Sequence, residues 1–407
     1  MKKRVVVTGM AGVTSLGESL ESVWANLQKY KNGVVHMADW EKYQGLQTRL
    51  AAPIEDFTLP KHYTRKRIRS MGRVSKLSTR ASELALINSG LIDDDALTDG
   101  STGIAYGSST GSTGPVSAFA TMLLDHNTKN INANTYVAMM PHTTAVNTGL
   151  FFGLQGRVIP TSSACTSGSQ GIGYAYEAIK YGQQRAMVAG GAEELCPTEA
   201  AVFDTLFATS QYNDEPHLSP RPYDEKRDGL VIGEGAGTLI LEELDFALAR
   251  GAKPIAELVG FATNCDAAHV TQPKSETMQR CMEMALKDAG LPASAIGYVN
   301  GHGTATELGD IAETQATQRV FGQVPLSSLK SYFGHSLGAC GAIEAWLSLA
   351  MLDRNWYAPT LNLDSIDARC GDLDYIRGEG RVMDCEYIMS NNFAFGGINT
   401  SMIFKKY

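Results

Sequence analysis

The chain has 407 residues, of which 43% are apolar and 19% charged, as in an ordinary globular protein with room for two domains. Its formal net charge of −8 disfavours nucleic acid as a partner. Seven cysteines without a CxxC pair argue for a reducing compartment, and against a disulfide framework or a structural zinc site. No stretch approaches the roughly 18 apolar residues of a membrane helix, and MKKRVVVTG is more typical of an opening strand than of a secretory signal. We therefore expect a cytoplasmic protein that does not enter a membrane.

Strands and helices alternate along the chain. Apolar, β-branched runs that end in glycine or small residues predict strands, and helical periodicity predicts helices over 18–29, 116–125, 135–154, 275–290, 309–321 and 337–353. This alternation predicts an α/β protein with mostly parallel sheets. Because the pattern restarts near residue 254, and glycine-rich turns follow strands in both parts, we predict two duplicated halves, 1–253 and 254–407, with the site between them.

One basic segment stands out in this acidic chain. Residues 61–80 hold eight lysines and arginines and no acid. Five of these recur at steps of three or four, which predicts one stripe along a helix: Arg65, Arg69, Arg73, Lys76 and Arg80. Such runs are usually solvated faces, but this one also suits an acidic partner.

Cys165 is predicted to lie at the junction between a short strand and a helix. Free amides and the helix dipole at that position favour a thiolate at neutral pH, and the same amides are suited to hold an oxyanion. A lone cysteine among small residues is equally typical of a packed core. This stretch alone leaves both interpretations open.

Two histidines in distant segments change the balance. His302 lies in NGHGTAT between two glycines, and His335 lies in FGHSLG just before a predicted helix. Both follow predicted strands, where α/β proteins place their chemistry. We expect His335 to be neutral and to donate a hydrogen bond through Nε2.

Six segments together resemble a known family. SSACTSGSQGIGYA, GGAEE, RPYDEKRDGLVIGEGAG, YVNGHGTAT, KSYFGHSLGACGAIE and SNNFAFGGINTSMIF are similar, in order, to the motifs of the 3-oxoacyl-(acyl carrier protein) synthases of types I and II. The resemblance covers residues 4–407. It implies a thiolase-like fold, an αβαβα five-layer sandwich of two similar halves, that works as a homodimer. It also implies decarboxylative Claisen condensation of an acyl group with malonyl-acyl carrier protein, in elongation of fatty acids or related polyenes and polyketides.

The resemblance also implies roles for individual residues. Cys165 would take the acyl group, and His302 and His335 would donate hydrogen bonds to the malonyl thioester carbonyl. Lys330 and Glu344 would support the histidines.

Further roles implied by the resemblance concern substrate and partner. The backbone N–H groups of Cys165 and Phe395 would form the oxyanion hole, and Phe395 would gate it. The substrate-binding residues would be Thr304 and Thr306 for the phosphopantetheine arm, with Phe393 and Thr110 toward the acyl chain. The carrier protein would dock on Arg65, Lys66 and Arg69.

No cofactor is required, because the phosphopantetheine arm arrives on the carrier protein. The resemblance to type I members implies a structural monovalent cation at Asn300, Glu344, Ser390 and Asn391. Because Thr110 stands where long-chain elongases carry isoleucine, we expect short to medium or unsaturated acyl chains.

Several alternatives stay open at this point. A thiolase needs a second cysteine where this chain has Asn399, a type III synthase pairs one histidine with asparagine, and a cysteine protease leaves His335 and Lys330 unexplained. Within the resemblance, the chain is either a housekeeping synthase or a dedicated secondary-metabolite ketosynthase that pairs with a chain-length factor. A non-catalytic chain-length factor would lack Cys165. Gly301 and Tyr332 depart from the usual motifs. GGAEELC and IMSNNF resemble type I, whereas ACTSG resembles type II, so the two types are not separated.

Overall fold

A computed structural model describes residues 2–407. Its strands, β1 to β16 in chain order, are Val5–Thr14, Val35–His36, Leu50–Ala52, Thr102–Gly107, Val158–Thr161, Ala186–Glu193, Ile232–Gly233, Gly235–Glu243, Ala256–Cys265, Ile296–Asn300, Pro325–Ser327, Trp356–Tyr357, Asp374–Tyr375, Arg381–Val382, Tyr387–Ala394 and Ile398–Lys406. Its α-helices, α1 to α13, are Leu20–Gln28, Arg65–Ile68, Arg73–Ser89, Thr113–Asp125, Ala133–Met139, Thr143–Phe152, Ser167–Lys180, Pro197–Asp204, Leu244–Ala249, Ser275–Ala289, Glu307–Phe321, Lys330–Phe333 and Cys340–Arg354.

The large sheet consists of two halves with the same strand pattern. The first half has the order β1-β8-β6-β4-β5, and the second has the order β9-β16-β15-β10-β11, extended by β13. In each half the first two pairings are antiparallel and the next two are parallel. The halves join where β1 pairs with β9. The expected duplication is therefore visible strand by strand, whereas the expectation of mostly parallel sheets is wrong because each half is mixed.

Helices complete the expected five layers. On the outside, α3 and α6 cover the first half, and α10 and α11 cover the second. Between the halves, α7 and α13 contact strands of both. The central helix α13 is buried from Cys340 to Leu352, and it approaches β8 so closely that a Cβ on Gly237 would lie 2.5 Å from the backbone of Ala342. The core thus fixes α7 and α13, the helices that follow Cys165 and His335 in the chain.

The basic segment is not one helix, so the single stripe predicted over 65–80 is wrong. Helix α2 ends at Ile68 and α3 begins at Arg73, with extended backbone at Gly72. A Cβ on Gly72 would collide with Ser112, so glycine is required at this position between the two helices. Similarly, Pro141 separates α5 from α6, where one helix was expected over 135–154, because proline has no N–H for helical hydrogen bonding.

Within residues 2–407, every helix is too short or too polar to cross a membrane.

Candidate active site

Cys165 lies in a tight turn between β5 and α7. Ala164, the residue before it, has a left-handed backbone (φ 50°), which is uncommon for a residue with a side chain and is typical of functional turns. Helix α7 begins at Ser167, two residues after Cys165. The turn presents the sulfur of Cys165 to the imidazole of His335, with Sγ 3.0 Å from Nε2.

The electrostatics of Cys165 correct one expectation. Burial raises the pKa of the thiol to about 11, although Lys330 and the backbone N–H groups of Phe395 and Cys165 act in the opposite direction. This pKa contradicts the prediction of a thiolate at neutral pH in the free protein, because burial outweighs Lys330 and the two backbone N–H groups. The two amides that act on the sulfur are those expected to form the oxyanion hole.

His302 is held in one tautomer by a buried ion pair. Lys330 donates to its Nδ1 over 3.1 Å and also contacts Glu344 in a salt bridge. Asn392 donates to the other Glu344 oxygen (2.7 Å) and lies 3.4 Å from the same Nδ1. Burial would lower the pKa of Lys330, but Glu344, Cys340 and Glu313 together outweigh burial and raise that pKa, so the ammonium stays charged. With donors facing Nδ1, the ring proton is on Nε2.

The loop that carries His302 depends on close contacts. A Cβ on Gly301 or Gly303 would lie 2.2 or 2.4 Å from the hydroxyl of Tyr223, and Gly303 also has φ 27°. Glu313 accepts the backbone N–H groups of His302 (2.5 Å) and Gly303 (2.7 Å). The glycines are therefore needed for packing as well as for access. Glu313 and Asn392 were not foreseen, because their partners lie in other segments.

His335 is fixed by its backbone. Its N–H donates to Val231 (2.7 Å), and its carbonyl accepts from Gly233 (3.0 Å). Its Nδ1 has no hydrogen-bond partner in the described part of the chain. Burial and the nearby Lys330 hold the pKa of His335 well below 6.5, and burial, Lys330 and His335 do the same for His302. Both imidazoles are neutral, as expected for His335.

A cavity of about 430 Å³ leads from solvent to these groups. Of the residues predicted for the site, it is lined by Cys165, His302, His335, Thr304, Thr306, Phe393 and Phe395. The hydroxyls of Thr304 and Thr306 are 2.9 Å apart along its wall. The ring of Phe395 packs against Phe203, with centroids 4.9 Å apart. Lys330 and Glu344 lie behind His302 instead, so they act on the histidine rather than on a bound molecule.

Thr110 is exposed and lies at the edge of a cluster of buried carboxyl groups rather than in this cavity. Its hydroxyl lies 2.9 Å from Glu199 and 3.1 Å from Glu193, so it has partners. Glu193 also accepts from Ser108 (2.7 Å) and from the backbone of Gly338 (3.0 Å), which ties three segments together. Burial, followed by the neighbouring Glu193, holds the pKa of Glu199 well above its usual value.

The remaining predicted residues fall into two places. Arg65, Lys66 and Arg69 are exposed, whereas Arg73 and Arg80 of the expected stripe form ion pairs with Glu234 and with Glu18 and Glu83. The four residues proposed for a cation are fully buried. The side-chain oxygens of Asn300 and Asn391 have no hydrogen-bond partner within residues 2–407, whereas both oxygens of Glu344 are already engaged.

The cavity brings together one cysteine and two neutral imidazoles, between two duplicated α/β halves. This arrangement defines a condensing enzyme of the thiolase-like class. The domain families described as "Beta-ketoacyl synthase, N-terminal domain" and "Beta-ketoacyl synthase, C-terminal domain" match residues 2–247 and 255–364. The chain belongs to the beta-ketoacyl synthase family, and the expected fold, family and enzyme class, an acyltransferase that forms carbon–carbon bonds, are confirmed.

Individual relatives agree over the full length. The chain is 38% identical to 3-oxoacyl-[acyl-carrier-protein] synthase 2 of Vibrio harveyi, covering 100% of this chain and 99% of the relative. A crystal structure of a beta-ketoacyl synthase from Burkholderia phymatum STM815 is 60% identical, with a TM-score of 0.98 and complete coverage of both chains. The structure of the ishigamide ketosynthase/chain length factor is 27% identical, with a TM-score of 0.91 and complete coverage of both chains.

Proposed function

We propose that the protein loads an acyl group from acyl carrier protein onto Cys165 and condenses it with malonyl-acyl carrier protein, giving 3-oxoacyl-acyl carrier protein and carbon dioxide. The observation that carries this proposal is the joint presence of Cys165, His302 and His335 in one cavity, with a sulfur-to-nitrogen distance of 3.0 Å. The name of the Vibrio harveyi relative supports carrier-linked substrates.

In the first half-reaction, Cys165 attacks the acyl thioester as a thiol that loses its proton during the attack. Nε2 of His335 takes that proton and passes it to the sulfur of the departing phosphopantetheine arm. The new carbon–sulfur bond forms on Cys165 as the bond to the carrier sulfur breaks. The backbone N–H groups of Cys165 and Phe395 hold the carbonyl oxygen while it carries negative charge.

In the second half-reaction, the malonyl thioester loses carbon dioxide, and its bonding electrons form an enolate. Nε2–H of His302 donates to the enolate oxygen. After the first half-reaction the ring proton of His335 is on Nδ1; exchange with water moves it to Nε2, from which His335 donates the second hydrogen bond. Because both imidazoles are neutral, they stabilise the oxygen without protonating the carbon that must attack. That carbon attacks the acyl carbonyl, and the bond to the Cys165 sulfur breaks; the sulfur leaves as a thiolate and takes up one proton from water.

Lys330, Glu344 and Asn392 act as positioning residues for His302. The ammonium fixes the tautomer by donating to Nδ1, and the carboxylate holds the ammonium in place. No organic cofactor takes part. A monovalent cation would be held by the unpartnered amide oxygens of Asn300 and Asn391, with a structural role, since hard cations prefer oxygen ligands.

The carrier protein is expected to approach Arg65, Lys66 and Arg69, which are exposed and form no ion pairs within residues 2–407. Acidic carriers would be steered by these charges.

The partner subunit is expected at the open edge of β5, which ends the large sheet. Val158 on that strand is 45% exposed, and Leu124 on helix α4 is 79% exposed. Exposed strand edges and apolar side chains are typical of interfaces. A second copy is the simplest occupant, and a chain-length factor is the alternative. A cytoplasmic location stays a prediction.

The acyl pocket is proposed to favour short to medium or unsaturated chains. Helix α8 carries Phe203, which packs in the same apolar cluster as Cys165, and also Glu199, which meets Thr110. An acyl chain that extends along α8 would therefore pass from apolar to polar surroundings. Ending a saturated chain against buried carboxyls is unfavourable.

A reconstituted reaction tests the proposed function. With acyl- and malonyl-acyl carrier protein, the protein should release carbon dioxide and extend the chain by two carbons. Absence of both products with the intact protein would contradict the proposal. Retention of Cys165 and both histidines argues against a non-catalytic chain-length factor, which the same experiment would reveal.

A further inference from the structure

Four apolar side chains stand in water around the mouth of the active-site cavity. They are Leu206 (43% exposed), Phe207 (88%), Val270 (66%) and Leu308 (55%), and all four line the cavity. We refer to them as the apolar collar. Single exposed apolar residues are common, but this set converges on one opening from three separate segments: the turn after α8, the loop before α10, and the first turn of α11.

The conformation and exposure of Phe207 are unfavourable for the stability of the fold. Its backbone is left-handed (φ 53°), at a helix end where glycine is usual, because the amide of Ala208 turns back to the carbonyl of Phe203 (3.0 Å). A β-carbon in this region is strained, and the phenyl ring gains almost no burial in return. Neither the strain nor the exposure helps this chain to fold, so both need a reason outside the fold.

Two charged side chains beside the collar are paired: Glu307, next to Leu308, contacts Arg369, and Arg227 on the cavity wall pairs with Asp367. Asp228 also lines the cavity and is exposed; it accepts a hydrogen bond from the backbone N–H of Gln211 and has no ion-pair partner within residues 2–407. The mouth therefore offers apolar side chains and no unpaired lysine or arginine, in contrast to the segment that carries Arg65, Lys66 and Arg69.

The position of the collar identifies its occupant. Building on the proposed function, the phosphopantetheine arm must fill the cavity to reach Cys165. The protein at the other end of that arm must then rest on the mouth. We propose that the apolar collar is the short-range contact surface for the carrier protein, with Phe207 as the anchor that packs against apolar side chains of the carrier. The basic residues steer the encounter, and the collar holds the complex.

Replacing Phe207 by glycine tests this proposal, since Phe207→Gly removes the ring and relieves the left-handed strain. We expect KM for acyl-carrier protein to rise about tenfold, in low and in high salt alike. The melting temperature should not fall, and acylation of Cys165 by a small acyl thioester should be unchanged. Val382→Ser is the matched control, because Val382 is 78% exposed in another part of the fold. It should leave KM unchanged.

Other outcomes would overturn the proposal. Equal loss with the carrier and the small thioester would mean that Phe207 acts on any bound substrate rather than on the carrier protein. An unchanged KM in Phe207→Gly would exclude a carrier contact. If the wild type sediments as a dimer and Phe207→Gly sediments as a monomer, the collar would be assigned to contact with a second copy. Failure of the wild-type protein to acylate Cys165 at all would contradict the proposed function itself, and the occupant of the collar with it.

Discussion

The catalytic cluster and the basic segment 61–80 differ in the burial and pairing of their charged side chains. Lys330 and Glu344 are completely buried, and each has hydrogen-bond partners within the cluster. In the basic segment, Arg73 is turned toward Glu234, whereas Arg65 and Arg69 remain in water. A buried charge depends on local partners that cannot be replaced, and an exposed charge acts at long range and is screened by salt. Substitutions in the two regions should therefore differ in size and in salt dependence.

The largest effect is expected from breaking the buried ion pair. Lys330→Met leaves Glu344 without its cation in an apolar environment, which should lower the free energy of unfolding by about 3–5 kcal/mol. Urea unfolding followed by fluorescence measures this. The double variant Lys330→Met/Glu344→Leu removes both charges and should recover much of the loss. Equal destabilisation in both variants would mean that the pair is held by packing rather than by charge.

Removing one imidazole should separate the two half-reactions. His302→Ala should slow condensation about 10²–10³-fold, because one of two hydrogen bonds to the enolate is lost. Acylation of Cys165 should persist, since His335 is the group next to the sulfur. Single-turnover mass spectrometry follows both steps. Loss of acylation with intact malonyl decarboxylation would reverse the assigned roles.

The raised pKa of Cys165 gives a pH dependence with a definite sign. Only the thiolate reacts with iodoacetamide, so alkylation of Cys165 should increase about tenfold per pH unit from pH 7 toward its pKa of about 11. Peptide mass spectrometry quantifies the adduct, with the exposed Cys265 as a reference thiol. A plateau below the ordinary cysteine pKa of about 8.5 would restore the thiolate expected from the helix N-terminus.

The exposed charges should give a smaller, salt-dependent effect. Arg65→Glu/Arg69→Glu should raise KM for acyl-carrier protein several-fold in low salt and hardly at all in high salt, because the charges act by steering. A small acyl thioester serves as the control substrate and should be unaffected. An equal loss with both substrates would indicate that α2 has a structural role.

The smallest effect concerns the acyl pocket. Across carrier-bound primers of increasing length, turnover should be highest for short to medium or unsaturated chains. Thr110→Val removes the hydroxyl that donates to Glu199, which should lower the free energy of unfolding by about 1 kcal/mol. The variant should also shift the substrate preference toward longer saturated chains. A wild-type preference for saturated chains of about sixteen carbons would contradict a polar pocket end.

Local sequence predicted the chemistry better than the environment around it. Cys165, His302 and His335 lie in short motifs next to glycines, and the structure brings them to one cavity. The protonation state of Cys165 was mispredicted because its burial depends on packing from distant segments, including Leu230 and Leu337. His335 is neutral as expected, but burial and Lys330 are the causes.

The same limit applies to secondary structure and to supporting residues. Periodicity alone predicts one helix over 65–80, because it does not register the extended backbone at Gly72, which packs against the distant Ser112. Glu313 and Asn392 were missed because a hydrogen bond between segments leaves no pattern in either one. The strand order of the two halves could be anticipated only in outline, since pairing direction is decided between distant strands.

The central claim is that Cys165 carries the acyl chain in the cavity that it shares with two neutral imidazoles. The most direct measurement is intact-protein and peptide mass spectrometry after incubation with acyl-carrier protein alone. The account predicts one acyl group per chain, on the peptide that contains Cys165, and its loss when malonyl-carrier protein is added. An unmodified Cys165, or an acyl group on another residue, would contradict the account.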